Sequence, residues 1–440
     1  MRSLSIVVLA ALLAVGCSAD DGAPAAEPGP ATDETSSSVG ASTTTTTTTL
    51  RPPVPTDPPR PPAEMIGDLV LPCSPTDLTP IVDAVGITDA SITIGTGSDR
   101  GGIGTPGAGV GIIEMIEALA DHCNAHGGLH GRDIRVIEYD AAAVETVDRV
   151  RRACEEVSAL VGHAFLQLIE EALTAIDCGL ARYPTGPGLL PPTPVRLHGH
   201  LTAAFADPAA SRIVLVGPDT PVEAAARVAH EAAVTAAGGV LEVVGTVPYP
   251  IDRVPDWDRL VGEARATGAG QVVIVGGCDQ AVVPFIEVAD RAGWAPMILA
   301  SAAAYEAGCL GVATPERLLL ELPFLPFEDG DAAPAAAAHE ELLALTAAPR
   351  TGTGLLAASA FWRWAVDTAA CPTSVGEECA SPLAGLDWSA GGLHPPVSPD
   401  GTSPGCAVVM GIEDGAFVRR LPVEPGTYEC EPVFSAPLPG

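Results

Sequence analysis

Between residues 91 and 300, short runs of β-branched and other apolar residues alternate with longer stretches in which apolar positions recur every three to four residues. The short runs predict buried strands and the longer stretches amphipathic helices. A strand over 91–95 leads through a glycine-rich loop into a helix over about 109–124. A strand at 134–139, a helix at 144–156 and a strand at 159–161 follow. Such a βαβαβ series forms a parallel sheet with right-handed crossovers. The scheme then repeats, with strands at 212–216, 240–247, 271–275 and 297–300 and helices at 222–237, 256–267 and 281–292. Two α/β lobes with parallel sheets are therefore expected, in keeping with a stretch of about 375 residues that exceeds what one core organises.

The N-terminal residues follow a different pattern. Arg2 precedes an apolar run over 6–15 that ends in Gly16 and Cys17, too short to span a bilayer as a mature helix and patterned as a signal peptide. The string Leu13-Ala14-Val15-Gly16-Cys17 resembles a bacterial lipobox, which implies cleavage after residue 16 and lipid attachment at Cys17. The expected location is extracytoplasmic, anchored to the membrane through that lipid, or secreted where the lipobox is not used. Residues 18–66 are dominated by Ala, Pro, Ser and Thr, with a threonine run over 43–49, and predict a disordered tether.

Charge narrows the partners. The formal net charge of −33 disfavours nucleic acid. All 22 basic residues are arginine, because the chain contains no lysine. This excludes Schiff-base chemistry, a Walker-A lysine and a Ser–Lys dyad. The sequence also has no Gly-x-Ser-x-Gly elbow and no His-Glu-x-x-His, so no enzyme is read from it. With Cys17 lipidated, ten of the eleven cysteines remain, enough for five disulfides in an oxidising compartment. Spacing does not fix their pairing. Proximity along the chain favours Cys371 with Cys379, Cys406 with Cys430, Cys278 with Cys309 and Cys154 with Cys178, leaving Cys73 for Cys123.

Two further patterns imitate sites. His122, His126 and His130 are spaced by four, but Gly127-Gly128 ends the helix before the third ring, so convergence on a metal is not expected. Gly95-x-Gly97-x-x-Arg100 lacks the third glycine of a dinucleotide loop. Neither a metal nor a cofactor is expected.

The stretch 86–95, Gly-Ile-Thr-Asp-Ala-Ser-Ile-Thr-Ile-Gly, resembles the opening strand of branched-chain amino-acid-type ABC transporter binding proteins. Residues 123–132, Cys-Asn-Ala-His-Gly-Gly-Leu-His-Gly-Arg, resemble that family's helix exit, and Tyr139-Asp140 closes the next strand as in the family. Gly238-Gly239, Tyr249-Pro250, Trp257 and residues 270–274 resemble its second lobe, and residues 389–396 with 415–419 its C-terminal segment. The resemblance implies the type 1 periplasmic-binding-protein fold, a Venus-flytrap of two Rossmann-like lobes joined by a hinge of several chain crossings. Lobe 1 would comprise 67–198 with a return segment at about 335–390. Lobe 2 would comprise 199–334 with a C-terminal segment at about 391–440.

In such a fold the ligand lies beyond the carboxyl ends of the strands, where loops and helix N-termini offer free N–H groups. The loops there put forward Ser98, Arg100, His163, Phe165 and Thr185 from the first lobe, and Asp219, Asp279 and Tyr305 from the second. The family's second-lobe acid, which holds an ammonium group, is missing or displaced to Glu306, which argues against an amino acid as ligand. The function implied is capture of a small polar solute, such as an amino acid, amide or short acid, by a monomer that delivers it to the permease of an ABC importer. A ligand-sensing or adhesive ectodomain without a transporter is the alternative, and an exported enzyme the lesser one.

Overall fold

The computed structural model describes residues 65–73, 84–167, 178–185, 196–370, 386–398 and 404–431. The signal peptide, Cys17, nearly all of the expected tether, and Cys371 with Cys379 lie outside the described residues. The tether expectation needs one correction at its end. Met65–Ile66 (β1) pairs antiparallel with Leu69–Val70 (β2), and Ile66 is fully buried, so the folded body begins before residue 67. Close packing explains this: Gly67 lies so near the carbonyl of Gly391 that neither position has room for a side chain.

The first sheet is built from Ser91–Ser98 (β3), Asp133–Asp140 (β4), Ala159–His163 (β5) and Ala181–Pro184 (β6), in the order β4-β3-β5-β6 and parallel throughout. Between β3 and β4 runs Val110–Ala125 (α1), which buries Ile112, Met115, Ile116, Leu119 and Cys123 along one stripe. Gly127 and Gly128 take positive φ angles, and the Gly128 N–H closes onto the Cys123 carbonyl at 2.8 Å, a glycine-dependent helix end. Asn124 shows why an asparagine precedes this exit. Its side chain donates to the Ile134 carbonyl (2.9 Å) and accepts from the Ile134 N–H (2.7 Å), which fixes β4 against the helix. Thr146–Glu156 (α2) links β4 to β5.

His198–Ala206 (α3) belongs with the second sheet, whose strands are Arg212–Pro218 (β7), Glu242–Tyr249 (β8), Gln271–Ile274 (β9), Met297–Ala300 (β10) and Leu318–Leu322 (β11). Pro221–Ala236 (α4), Trp257–Ala266 (α5) and Val283–Arg291 (α6) alternate with them, and a π-helical turn over Cys278–Val282 precedes α6. The chain then returns to the first lobe as Pro334–Thr346 (α7) and Gly352–Ala370 (α8), which pack on α1, β5 and β6. Finally Val408–Glu413 (β12) and Ala416–Leu421 (β13) add an antiparallel hairpin to the second sheet. The order there is β13-β12-β11-β10-β9-β7-β8, so this sheet is mixed rather than parallel throughout. The chain therefore passes between the lobes three times.

One apolar cluster runs from Ile92, Ile94 and Ile116 in the first lobe through Phe324, Phe361 and Trp362 to Val214, Ile274 and Ile298 in the second. Disulfides join Cys73 to Cys123, Cys154 to Cys178, Cys278 to Cys309 and Cys406 to Cys430. No helix among the described residues is long and apolar enough to cross a membrane.

Candidate functional site

In each sheet the strand order reverses at one point, between β3 and β5 in the first lobe and between β7 and β9 in the second. Loops diverge at such a point and leave a crevice at the carboxyl ends of the strands. Loops at these two edges touch. In the loop after β3 the Gly104 N–H donates to the carbonyl of Ile251, in the loop after β8, at 3.1 Å.

On the first-lobe edge, Ser98 and Arg100 converge on one carboxylate. Ser98 Oγ donates to Glu138 Oε1 (3.2 Å), and Arg100 Nη2 pairs with Glu138 Oε2 (2.7 Å). Burial pushes the Glu138 carboxyl up, against the Arg100 charge and the Ser98 hydrogen bond. Arg100 itself keeps 48% of its side chain exposed, and an ion pair this open to water holds weakly enough to exchange for a ligand.

Asp99 organises the edge from beneath. It is fully buried, and its two carboxylate oxygens accept from the Ala143 N–H (2.7 Å) and the Leu166 N–H (2.6 Å), tying together the loops after β3, β4 and β5. Burial pushes its carboxyl up, opposed by those two bonds. Asp140 adds bonds from the N–H groups of Gly101 (3.2 Å) and Ala142 (2.9 Å). Phe165 lies across Gly97, whose missing side chain makes space for the ring. His163 is buried, and burial, with the Arg182 charge, lowers its imidazole to about 4, so the ring is neutral at physiological pH. Its carbonyl accepts from the Thr185 N–H and hydroxyl, both at 3.3 Å.

On the second-lobe edge, Asp219 and Asp279 are exposed. Asp219 is held by its N–H on the Tyr249 carbonyl (2.7 Å). Asp279 sits in the π-helical turn, which the Cys278–Cys309 disulfide ties to the loop after β10. Glu306, half-buried beside Asp279, has a local role. Its carboxylate accepts from the Cys278 N–H at 2.7 Å and so caps that turn.

Tyr305 requires a correction, because the structure places it in the core rather than at the cleft. The 3-10 turn over Ala302–Ala304 carries it beneath the crossing segment, leaving it 2% exposed. Its ring stacks on Phe327 and touches Phe417 and Phe324. Its hydroxyl donates to Glu328 and accepts from the Phe327 N–H (2.9 Å).

Sequence reading missed Asp99, Glu138 and Asp140. Acids at the end of an otherwise apolar strand were the available signal for the last two. It also missed Glu223, in the first turn of α4, whose carboxyl lies against Gly217 and is lifted by burial to about 7 despite the Arg227 charge. A folded-state value raised above the ordinary one near 4.5 gives stability that is present below the ordinary value and lost as pH rises through 7. Glu223→Gln is thus expected to be nearly neutral at pH 4 and stabilising by about 2–3 kcal/mol at pH 8. Thermal unfolding of both proteins at the two pH values checks this; equal differences at both would refute it.

Near the end of α1 the His122 and His126 rings lie 4.4 Å apart, but His130 turns to another element. His126 Nδ1 contacts the His122 carbonyl (2.7 Å), while His130 Nε2 contacts the Thr368 carbonyl (3.2 Å) on α8.

Several solved structures share this fold. A fatty acid ABC transporter substrate-binding protein from Thermomonospora curvata superposes with a TM-score of 0.60 at 16% identity, covering 81% of this chain and 95% of that one. An extracellular ligand-binding receptor from Verminephrobacter eiseniae gives 0.59 at 16% identity, over 75% of this chain and 100% of that one. The leucine binding protein LivK from Thermotoga maritima gives 0.54 at 15% identity, over 75% and 97%. No curated protein matches the sequence. The fold is that of type 1 periplasmic binding proteins. A family model described as periplasmic binding protein matches residues 91–341, more than half of the chain, and the chain belongs to that solute-binding family.

Proposed function

We propose that this protein is an exported, lipid-anchored receptor that closes its two lobes on a small polar solute and delivers it to an ABC importer. The single observation that carries the reading is the convergence of the carboxyl-terminal edges of both sheets, already in contact at Gly104 and Ile251. Cys17 is the lipid anchor and residues 18–64 the tether. The lobes are 65–198 with about 335–390, and 199–334 with about 391–440. The protein works as a monomer and carries out no chemistry, because a ligand that contacts both lobes shifts the open–closed equilibrium by itself.

Arg100 on one side and Asp219 and Asp279 on the other are the exposed members of the ligand set; Ser98, His163, Phe165 and Thr185 are buried in this form and join them where the first-lobe loops part. The exposed Arg100 beside Glu138 suits a head group that carries a carboxylate or amide. The fatty acid and leucine in the names of two structural neighbours are likewise carboxylates with apolar tails. With Glu306 occupied as a cap, a non-amino carboxylate or amide fits better than an α-amino acid.

A thermal-shift screen of the mature protein against amino acids, amides, short and medium carboxylates and polyols identifies the ligand, because a solute that binds the folded state raises the melting temperature. Arg100→Ala and Asp279→Ala are expected to weaken the hit by about tenfold or more while leaving the ligand-free melting temperature unchanged. Wild-type affinity in both variants would remove this cleft assignment.

A further inference from the structure

The loop after β3 carries glycines at 101, 102, 104, 107 and 109, and they serve different ends. Gly107 and Gly109 adopt φ angles of +79° and +86°, which the turn itself requires of glycine. Gly104 is not in that region, so its own backbone accepts any L-residue. What excludes a side chain there is the other lobe. A Cβ on Gly104 would stand 2.6 Å from the Pro250 carbonyl oxygen, 2.7 Å from that of Arg253 and 2.7 Å from the Ile251 carbonyl carbon. These are backbone atoms, which cannot swing aside as the tip of a side chain does. Gly107 faces the same lobe, 3.8 Å from Gln280 Nε2 at its Cβ position.

We infer that Gly104 is the positioning residue for lobe closure: the absence of a side chain lets the first-lobe loop seat its N–H on Ile251 and sets how far the cleft can shut. This rests on closure being the working motion, as proposed above. The contact is entirely backbone, so it is available before any ligand arrives and gives the closed state a population of its own. A ligand then has less of the equilibrium to shift.

The test uses the mature protein without ligand. Gly104→Ala and Gly104→Val are compared with wild type and with Ile103→Ala, whose neighbouring side chain is 66% exposed. The glycine variants are expected to show a larger radius of gyration in solution scattering, graded with side-chain size. Amide exchange at position 104 should rise by about tenfold or more, while the melting temperature stays at the wild-type value. Ile103→Ala should match wild type throughout. Unchanged scattering and exchange in Gly104→Val would overturn the inference. So would a fall in melting temperature in Gly104→Ala matching its loss of compaction, since that would mean the loop needs glycine for its own fold. Because no ligand is involved, failure of the solute screen leaves this result standing, and a solute that binds equally well to the closed and open forms would sink the functional reading alone.

Discussion

Tyr305→Ala is expected to destabilise the protein by about 3–5 kcal/mol and to lower its melting temperature by about 5–10 °C. The ring is closed in by Phe324, Phe327 and Phe417, so removing it leaves a cavity that close-packed neighbours fill only in part. Tyr305→Phe separates the hydroxyl from the ring. It keeps the volume but strands the Phe327 N–H and one oxygen of Glu328, at a cost of about 1–3 kcal/mol. Burial and the Glu328 charge both push the phenol above its ordinary range, so it stays protonated and available as a donor across the accessible pH range. Urea unfolding of the two variants orders them. A Tyr305→Ala protein of wild-type stability would return the ring to the ligand cleft.

Asp99→Ala should cost a comparable amount, about 3–5 kcal/mol, for an electrostatic reason. Its carboxylate is the acceptor for two N–H groups on two other loops, and alanine would leave both without it inside the protein. Asp99→Asn keeps the shape and one acceptor oxygen, and should lose about half as much. The loss is also local in a way that a core cavity is not. Amide exchange at Ala143 and Leu166 should accelerate more than exchange in the strands, and the loops that carry Arg100 and Phe165 should lose their relative placement. Uniform acceleration across the sheet would show that Asp99 supports the core rather than the cleft edge.

These two residues mark the limit of what could be read along the chain. Most of the strand and helix order from 91 to 300 was legible, because burial in a parallel sheet imposes unbroken apolar runs and a helix packed on it imposes a three-to-four-residue stripe; β6 and α3, with weaker patterns, were not part of that series. The helix exit at Gly127-Gly128 was legible for the same local reason, since its closing bond reaches back only five residues. The edge at which Ser98, Arg100 and Asp279 stand followed from strand direction alone. Their partners did not. Glu138 meets Arg100 only because β4 lies beside β3, and Asp99 reaches residues 44 and 67 positions further on.

Tyr305 shows the converse error. After a strand and before a glutamate it reads as a loop aromatic facing the cleft. Its burial depends on the crossing segment at 324–328 and on Phe417, more than a hundred residues away.

By itself the sequence determined the α/β alternation, the turns that need glycine and which end of each strand is its carboxyl edge, because these depend on side-chain periodicity and backbone chirality within a few residues. Only the tertiary structure decided that Tyr305 is a core residue, that Glu306 is a cap, that Asp99 binds three loops and that Gly104 has no room for a side chain. Each of these is set by which distant backbone comes within about 3 Å, a quantity that no local pattern encodes.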